Sequence, residues 1–283
     1  MSHAAISHHV KVLEGQLGIA LFERRNRAVH LTDHGRMLAP VVTEALDSIS
    51  TTLDSMKAAD ASNTLTVTLT PVFAAKWLVP RLGRFHASHP AIGIRLEPSL
   101  RFVDFSREPC DVGVRCGLGT WPGLVSEPLF PIDLVPVCSP SLINDRDHPL
   151  RTPEDLRHHT LIHADVGEER IGEEWTLWLK AAGVSGIDLS RGVSMNDPIL
   201  AFQAAVDGVG VAIGYTALVA ADIAAGRLVA PFDVRARHPF SYFVVHLASR
   251  RIKPNIGAFR EWLVAETQRE RRGRARPGGR VVS

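Results

Sequence analysis

Residues 3–35 constrain this chain more than any other stretch, because they join an amphipathic helix to a turn rich in arginine. Ile6, Val10, Leu13 and Leu17 recur at spacings of four, three and four, which places them on one apolar face of a helix. The opposite face is polar, and its candidate DNA contacts are Ser2, His3, Ser7, His8 and Lys11. Such side chains donate hydrogen bonds to phosphates and base edges when a helix lies in the major groove.

A basic hairpin is predicted directly after this helix. Gly18 is expected to end the helix, and the run Glu23-Arg24-Arg25-Asn26-Arg27 precedes an apolar alternation at Val29 and Leu31. This pattern predicts a winged helix-turn-helix in which Arg24, Arg25 and Arg27 contact the DNA backbone. The alternative is a basic amphipathic helix that serves only for packing.

Several motifs of this stretch together resemble the DNA-binding signature of the LysR-type transcriptional regulators. They are Ala4-Ala5-Ile6-Ser7, Leu13-Glu14, Leu17-Gly18, Leu21-Phe22-Glu23-Arg24 and Leu31-Thr32-Asp33-His34-Gly35-Arg36. The segment PVFAAKWLVPRLGRFHASHP, with the later pieces VDF, GVR and WPGL, is similar to the branch of that family that contains the glycine-cleavage activator. The resemblance extends from residue 2 to about residue 266.

The same resemblance implies that the start of the DNA-binding domain is missing from this sequence. Family members carry about thirty further residues that supply the first helix of the domain and most of the second. The apolar stripe of residues 6–17 should pack against them, at about 1.5–3 kcal/mol per large side chain. Two explanations stay open: a truly shortened regulator, or a Met1 that is an internal valine whose GTG codon was read as a start. We favour the second hypothesis, which a stop codon close upstream would exclude.

Composition indicates a soluble globular protein of two or three domains. The chain has 283 residues, of which 45% are hydrophobic and 22% charged, with a net charge of +2. Basic residues concentrate at 24–27 and 269–280, so a nucleic-acid partner is inferred from the local patch. Neither a signal segment nor a long apolar run is found, which argues against secretion and membrane spanning. Three cysteines without Cys-x-x-Cys spacing are expected to be structural thiols, and the resemblance implies a cytoplasmic protein.

A helix that forms dimers is predicted after the hairpin, with Thr32 as its cap and Asp33 in its first turn. Apolar residues then follow at spacings of four and three, which is typical of a coiled-coil seam. They are Val42, Leu46, Ile49, Leu53 and Met56. The alternative is a helix packed on its own domain. Residues 58–63 form a small, polar connector, and a tetramer is implied only by the resemblance.

From residue 64 onward, strands and helices alternate, which predicts an α/β domain with largely parallel sheets. Strands are predicted near 65–70, 92–96, 111–116, 133–138, 160–163, 192–195, 211–214 and 242–247. Helices are predicted near 71–89, 103–108, 153–158, 172–182, 197–208, 216–225 and 255–267.

The predicted domains are a partial winged helix-turn-helix at 1–35, a linker helix at 36–63 and an effector-binding domain at 64–267. The resemblance implies that the last of these is like a periplasmic binding protein. Its subdomain I would comprise 64–138 and 239–267, and its subdomain II 139–238. Residues 268–283 are expected to form a disordered basic tail.

Two helix N-termini are candidates for binding a small ligand, because ligands of α/β sheets bind beyond the carboxyl ends of the strands. One comprises Thr70, Pro71 and Val72, and the other is opened by Asn196 and Asp197. Opposed helix dipoles at these two places would suit a small carboxylate. The alternative at each is an ordinary cap bonded to its own helix.

The family resemblance adds further positions to the effector site, which are Leu100, Arg101, Arg115, His163 and Tyr215. Arg115 is the preferred charged contact, because its guanidinium can pair with a carboxylate through two parallel bonds. An arginine at a strand end can equally be a surface ion-pair residue. His163 can equally be a buried histidine with ordinary partners.

Neither metal binding nor catalysis has positive support in the sequence. His158, His159 and His163 invite a zinc hypothesis, but adjacent side chains diverge and no further ligand has a matched spacing. The motifs of serine hydrolases, phosphate loops and dinucleotide sites are missing, so no cofactor is predicted. The favoured function is a DNA-binding transcriptional regulator, a homodimer or homotetramer controlled by a small and anionic effector. Two alternatives stay open: a ligand-binding module without DNA activity, and an enzyme on a solute-binding scaffold.

Overall fold

The computed structural model describes residues 3–25, 28–61, 63–164, 172–248, 253–274 and 280–282. The chain divides into two compact units, residues 1–62 and residues 63–283. No helix of the described chain is both long and apolar enough to cross a membrane.

The first unit is a helix, a hairpin and a second helix, as the sequence predicts. Its elements are α1 (His3–Leu17), β1 (Phe22–Arg25), β2 (Ala28–Leu31) and α2 (Asp33–Ala61). Gly18 ends α1 in the left-handed conformation at φ +68°, and its N–H donates to the Glu14 carbonyl. The two strands are antiparallel, with Phe22 opposite Leu31. Thr32 caps α2 as predicted, since its Oγ1 accepts a 3.1 Å hydrogen bond from the Gly35 N–H.

The turn between α1 and the hairpin is held by a carboxylate and a glycine. Glu14 Oε1 accepts hydrogen bonds from the N–H groups of Leu21 and Phe22, at 2.7 and 3.0 Å. A Cβ on Gly35 would lie 2.2 Å from the Leu21 carbonyl oxygen, so only glycine lets α2 start this close to the turn. Leu13 and Leu17 of α1 are 43% and 47% exposed, so the described part of the unit leaves their apolar stripe largely uncovered.

The second unit is built on one mixed sheet flanked by helices. Its strands are β3 (Thr64–Leu69), β4 (Gly93–Pro98), β5 (Val112–Gly117), β6 (Leu124–Val137), β7 (Leu161–Ala164), β8 (Val193–Met195), β9 (Val211–Tyr215), β10 (Val234–Leu247) and β11 (Arg280–Val282). Its α-helices are α3 (Pro71–Phe73), α4 (Leu82–Ser88), α5 (Pro140–Ile143), α6 (Glu173–Ala182), α7 (Pro198–Val206), α8 (Thr216–Ala224) and α9 (Pro254–Arg274). A π-helical turn (Ala74–Leu78) and a 3-10 turn (Val79–Arg81) join α3 to α4, and a 3-10 segment (Pro153–His158) precedes β7.

Two long antiparallel strands form the middle of this sheet. The strand order is β4-β3-β5-β10-β6-β9-β7-β8, and β11 pairs with β10. On both flanks the strands are parallel, as predicted. In the middle, β6 and β10 are antiparallel to each other, β6 is antiparallel to β9, and β10 is antiparallel to β5. The strands predicted from the sequence near 133–138 and 242–247 cover only the last part of β6 and β10. Prolines interrupt their patterns, and the sheet tolerates Pro239 through a register shift between Arg237 and Ser241.

Buried tryptophans join the helices to the sheet. Trp77, Trp175 and Trp178 are almost fully buried. The indole N–H of Trp175 donates to the Ile162 carbonyl at 3.1 Å, and that of Trp178 donates to the Val234 carbonyl at 3.0 Å. These large side chains therefore add apolar burial without leaving an unsatisfied donor.

Two expected segments differ from the structure. The prediction of a helix at 103–108 is wrong, since these residues form turns. In them Asp104 Oδ1 accepts hydrogen bonds from both the N–H and the hydroxyl of Ser106. In place of a disordered tail from residue 268, α9 continues to Arg274 and residues 280–282 form β11. The helix is anchored there by Glu270, whose Oε2 accepts a 2.7 Å bond from the Trp77 indole.

Candidate functional site

The polar face of α1 is open to solvent where its side chains are described. Ser7, His8 and Lys11 are all exposed. His3 belongs to α1, and Arg24 and Arg25 belong to β1, by their backbones alone. The predicted contacts Ser2 and Arg27 lie outside the described residues. A basic helix face followed by a hairpin is the arrangement with which winged domains approach DNA.

The predicted seam of α2 also lies on the surface of the chain. Val42, Leu46 and Ile49 are exposed apolar residues on this helix. Leu53 and Met56 belong to the same helix, but their side chains lie outside the described part of the chain. Three large apolar side chains in water on one helix are typical of a surface that another chain covers.

A cavity of about 240 Å³ lies in the second unit, where several strands end. Thr70 follows β3, Ala164 ends β7 and Tyr215 ends β9, so three carboxyl ends of strands meet here. The cavity is lined by Thr70, Val72, Leu100, Phe102, Arg115, Cys116, Trp121, Ile132, Ala164, Glu173, Glu174, Pro198, Tyr215, His238, Phe240 and Tyr242.

Arg115 supplies the cavity with a buried positive charge. It is only 4% exposed, and its guanidinium donates to the Ser99 carbonyl at 2.9 Å and to the Thr68 hydroxyl at 2.5 Å. Its Nε has no hydrogen-bond partner among the described residues, and the same holds for the buried Thr70 Oγ1. Burial lowers the pKa of Arg115, although a guanidinium keeps its proton in proteins. Unsatisfied buried donors beside a cation favour an anionic ligand.

Acidic residues line another part of the same cavity. The Tyr215 hydroxyl donates a short hydrogen bond to Glu174 Oε1, and Glu173 precedes it at the start of α6. Burial and the neighbouring Glu174 raise the pKa of Tyr215, so its hydroxyl remains a donor. Carboxylates in the wall oppose a second negative charge on a ligand.

Aromatic rings line the cavity beside Arg115. Phe102 and Trp121 are stacked, with ring centroids 6.5 Å apart and planes 12° apart. The Arg115 guanidinium carbon lies 5.9 Å from the centroid of Phe102. This wall can therefore hold an apolar group next to the charged one.

Half of the predicted effector residues line this cavity, namely Thr70, Val72, Leu100, Arg115 and Tyr215. Pro71 opens α3 beside Thr70 but is not part of the lining. Arg101 forms an exposed ion pair with Glu108, at 2.9 and 2.5 Å.

The other three predicted residues contact their own surroundings. His163 is buried, with Nε2 3.3 Å from the Arg191 carbonyl oxygen, and it lines a separate void of about 10 Å³. Asn196 is exposed and outside the lining. Asp197 accepts a 2.8 Å bond from the Ile199 N–H, which is the ordinary helix cap considered as the alternative.

Several lining residues were not predicted from the sequence, among them Phe102, Trp121, Glu174, His238 and Tyr242. They come from distant segments, and although Trp121 opens the WPGL motif, nothing in that motif shows that its ring reaches the cavity. The run Phe240 to Tyr242 carried one usable signal, since alternate residues of a strand face the same side.

The histidines considered for zinc do not form a cluster of ligands. Among the described residues, no group of three or more His, Cys, Asp or Glu side chains could hold a metal ion. The His158 ring instead stacks on His148 at 4.9 Å.

Comparison with known proteins gives matches for both units. Residues 1–36 match the family described as "Bacterial regulatory helix-turn-helix protein, lysR family", and residues 58–268 match "LysR substrate binding domain". The chain is 36% identical to the glycine cleavage system transcriptional activator of Escherichia coli K12, over 95% of this chain and 87% of the relative. It is 35% identical to the transcriptional activator AmpR of Pseudomonas aeruginosa, over 97% and 90%.

Solved structures show the same likeness. The effector domain of AmpR from Pseudomonas aeruginosa has a TM-score of 0.63 at 34% identity, covering 75% of this chain and 98% of that one. CrgA of Neisseria meningitidis, described as a LysR-type transcriptional regulator, matches in fold over 94% of this chain and 90% of its own, with a TM-score of 0.59 at 21% identity.

Proposed function

This chain belongs to the LysR family of bacterial transcriptional regulators, and from that premise we propose that its effector carries one carboxylate, bound by Arg115. LysR regulators bind DNA, respond to small-molecule effectors and form oligomers. The protein is thus a regulator and not an enzyme. The relatives favour neither alternative, that is, neither the DNA-free binding module nor the enzyme.

The observation that supports the carboxylate is the buried guanidinium with an unsatisfied Nε. Leaving such a donor without a partner costs about 1–3 kcal/mol, and a bound carboxylate would remove that cost. The Thr70 hydroxyl and the first turn of the helix after Pro71 add donors on the same side. Glu173 and Glu174 disfavour a dicarboxylate, so the effector carries one negative charge.

Proposed DNA contacts fall into two sets with different roles. The first set reaches the base edges and adjacent phosphates and comprises Ser2, which precedes α1 in the sequence, and His3, Ser7, His8 and Lys11 of α1. The residues of the hairpin neutralise phosphates, and these are Arg24, Arg25 and Arg27. Because its proposed target is DNA, the protein acts in the bacterial cytoplasm.

Effector binding would control DNA binding through the arrangement of the oligomer. The cavity is lined by residues of both predicted subdomains, with Thr70 and Arg115 from subdomain I and Glu174 and Tyr215 from subdomain II. A ligand that contacts both subdomains would favour one relative position of the two. Coupling of this kind requires the effector to bind one oligomer geometry better, typically by about 1–3 kcal/mol.

Calorimetry with simple carboxylates tests the effector site. We expect acetate, propionate and benzoate to include at least one binder, and methylamine and ethanol to include none. Arg115→Met should weaken the carboxylate at least about tenfold, because hydrogen bonds to charged groups contribute about 1.5–3 kcal/mol. Arg101→Met is the matched control, since it removes an exposed arginine paired with Glu108. The proposal is wrong if only cations bind, or if Arg115→Met leaves the affinity for the carboxylate unchanged.

Salt dependence tests the hairpin contacts. Arg25→Ala should weaken binding to a duplex from the gene's upstream region and to an unrelated duplex alike. The slope of log affinity against log salt should fall in magnitude by about 0.9. Fluorescence anisotropy at several salt concentrations measures both, with Arg101→Ala as a charge-matched control. An unchanged slope contradicts the phosphate role of Arg25. If the unaltered chain binds neither duplex at moderate salt, the ligand-binding module without DNA activity is favoured.

A further inference from the structure

Phe102 and Trp121 form what we name the aromatic shelf, a pair of stacked rings in the wall of the effector cavity. Phe102 is 48% exposed although it lies next to a buried core that contains Val103 and Phe105. When a ligand covers an exposed aromatic ring at the edge of a cavity, apolar surface is removed from water, which favours binding. The shelf is therefore a surface on which an apolar part of the ligand can rest.

The chain holds Trp121 in a defined position. A Cβ on Gly117 would lie 2.9 Å from the indole ring, so the absence of a side chain there lets the ring rest against β5. Phe243 makes an edge-to-face contact with the Trp121 ring, with centroids 5.6 Å apart. The Trp121 carbonyl also accepts a 3.1 Å bond from the Leu124 N–H, which closes the loop that carries it. A ring fixed in advance binds a planar group with little loss of side-chain entropy.

The shelf lies directly beside the proposed carboxylate contact. The Arg115 guanidinium carbon is 5.9 Å from the Phe102 centroid. When a carboxylate binds Arg115, the group attached to the carboxylate carbon therefore lies next to these rings. We infer that the effector carries a planar apolar group beside its carboxylate, and that Phe102 and Trp121 determine this specificity. The inference rests on the proposed binding of a carboxylate by Arg115.

Matched pairs of carboxylates test the shelf by titration calorimetry on the full chain. Benzoate should bind about tenfold more tightly than propionate, because an aromatic pair contributes about 0.5–1.5 kcal/mol beyond its buried area. Cyclohexanecarboxylate should fall between them, since it is apolar without being planar. Trp121→Ala should reduce the ratio of benzoate to propionate affinity to about threefold or less. It should weaken propionate binding much less than benzoate binding, because propionate has no ring to stack on the shelf.

Two further variants separate loss of the shelf from loss of the fold. Trp121→Phe keeps a planar ring and should retain most of the preference for benzoate. Leu118→Ala is the matched control, because Leu118 lies in the same loop but is 73% exposed and outside the cavity lining. It should change neither affinity.

The outcomes distinguish this inference from the proposed function. Equal affinity for benzoate and propionate, or a preference that survives both Trp121→Ala and Phe102→Ala, would overturn the shelf. If Arg115→Met still abolishes binding in that case, the carboxylate site stands without the shelf. If benzoate and propionate both bind independently of Arg115, the proposed carboxylate contact fails and the shelf inference fails with it.

Discussion

Asp222 is a buried carboxylate that links two elements of the second unit. Its Oδ2 accepts a 3.0 Å bond from Lys76 in the π-helical turn, and its Oδ1 accepts bonds of 2.9 and 2.6 Å from Arg227. Burial raises the pKa of Asp222, but the bonds from Arg227 and Lys76 outweigh it and hold that pKa below its usual value. The folded state therefore binds the proton of this carboxyl less well than the unfolded chain does.

Replacement of Asp222 by asparagine should destabilise the protein mainly at neutral pH. A depressed pKa contributes stability above the unfolded value of about 3.9, and this is lost as pH falls through the folded value. Breaking a buried ion pair costs about 3–5 kcal/mol, so we expect the free energy of unfolding at pH 7 to fall by about 3 kcal/mol. Urea denaturation between pH 3 and pH 7 measures this.

The pH dependence of the stability difference tests whether the ionised form of Asp222 is the stabilising one. The difference between the unaltered protein and Asp222→Asn should shrink as the pH falls below about 4. Asp147→Asn, at an exposed position, serves as the control and should change little at any pH. A constant difference from pH 7 to pH 3 would contradict the assignment of this stability to an ionised Asp222.

At the scale of elements, one side chain of the helix before the hairpin helps to hold the turn that leads into it. The Glu14 carboxylate accepts hydrogen bonds from the N–H groups of Leu21 and Phe22. Leu21 is buried where the turn meets α2. Glu14→Ala removes the acceptor of both N–H groups, so the turn is no longer fixed to α1. We expect this to lower the free energy of unfolding of the first unit by about 1–3 kcal/mol. We expect the affinity for the upstream duplex to fall at least about fivefold, because helix and hairpin no longer keep one geometry.

Anisotropy and circular dichroism together measure the effect of Glu14→Ala. Glu44→Ala, on the exposed surface of α2, is the control and should retain DNA affinity. Unchanged DNA affinity in Glu14→Ala would mean that the hairpin holds its position without this carboxylate.

At the scale of the whole molecule, we expect the predicted seam of α2 to determine how chains assemble. Val42, Leu46 and Ile49 are exposed in the single chain, which is unfavourable unless a second copy covers them. Leu46→Glu should therefore weaken the dimer and lower the sedimentation coefficient at micromolar concentration. Glu44→Lys changes a charge off the seam and should leave assembly intact. A dimer that persists in Leu46→Glu would place the interface elsewhere.

Local patterns account for what was predicted correctly. The helix spacing of residues 6–17, the left-handed Gly18 and the cap at Thr32 are all properties of short segments, and the structure has α1, the hairpin and α2 at those places. The lengths of β6 and β10 were missed, because the prolines in them remove donors and only the neighbouring strands show that the ladder continues.

The candidate site divides in the same way. Arg115 lies in β5 and Tyr215 ends β9, and both were predicted because the family resemblance marks them by their place in short local motifs. Phe102 and Glu174 carry no local signal, and they join Arg115 only because separate segments of the sheet bring them to one cavity.

By itself the sequence determined most of the elements, their order and the family, since helix faces, caps and motifs depend on neighbouring residues. Tertiary structure alone decided which charges and rings share the cavity from Thr70 to Tyr242. The physical reason is that a binding site is a set of distances between side chains. Those distances depend on how β6 and β10 pair and not on spacing along the chain.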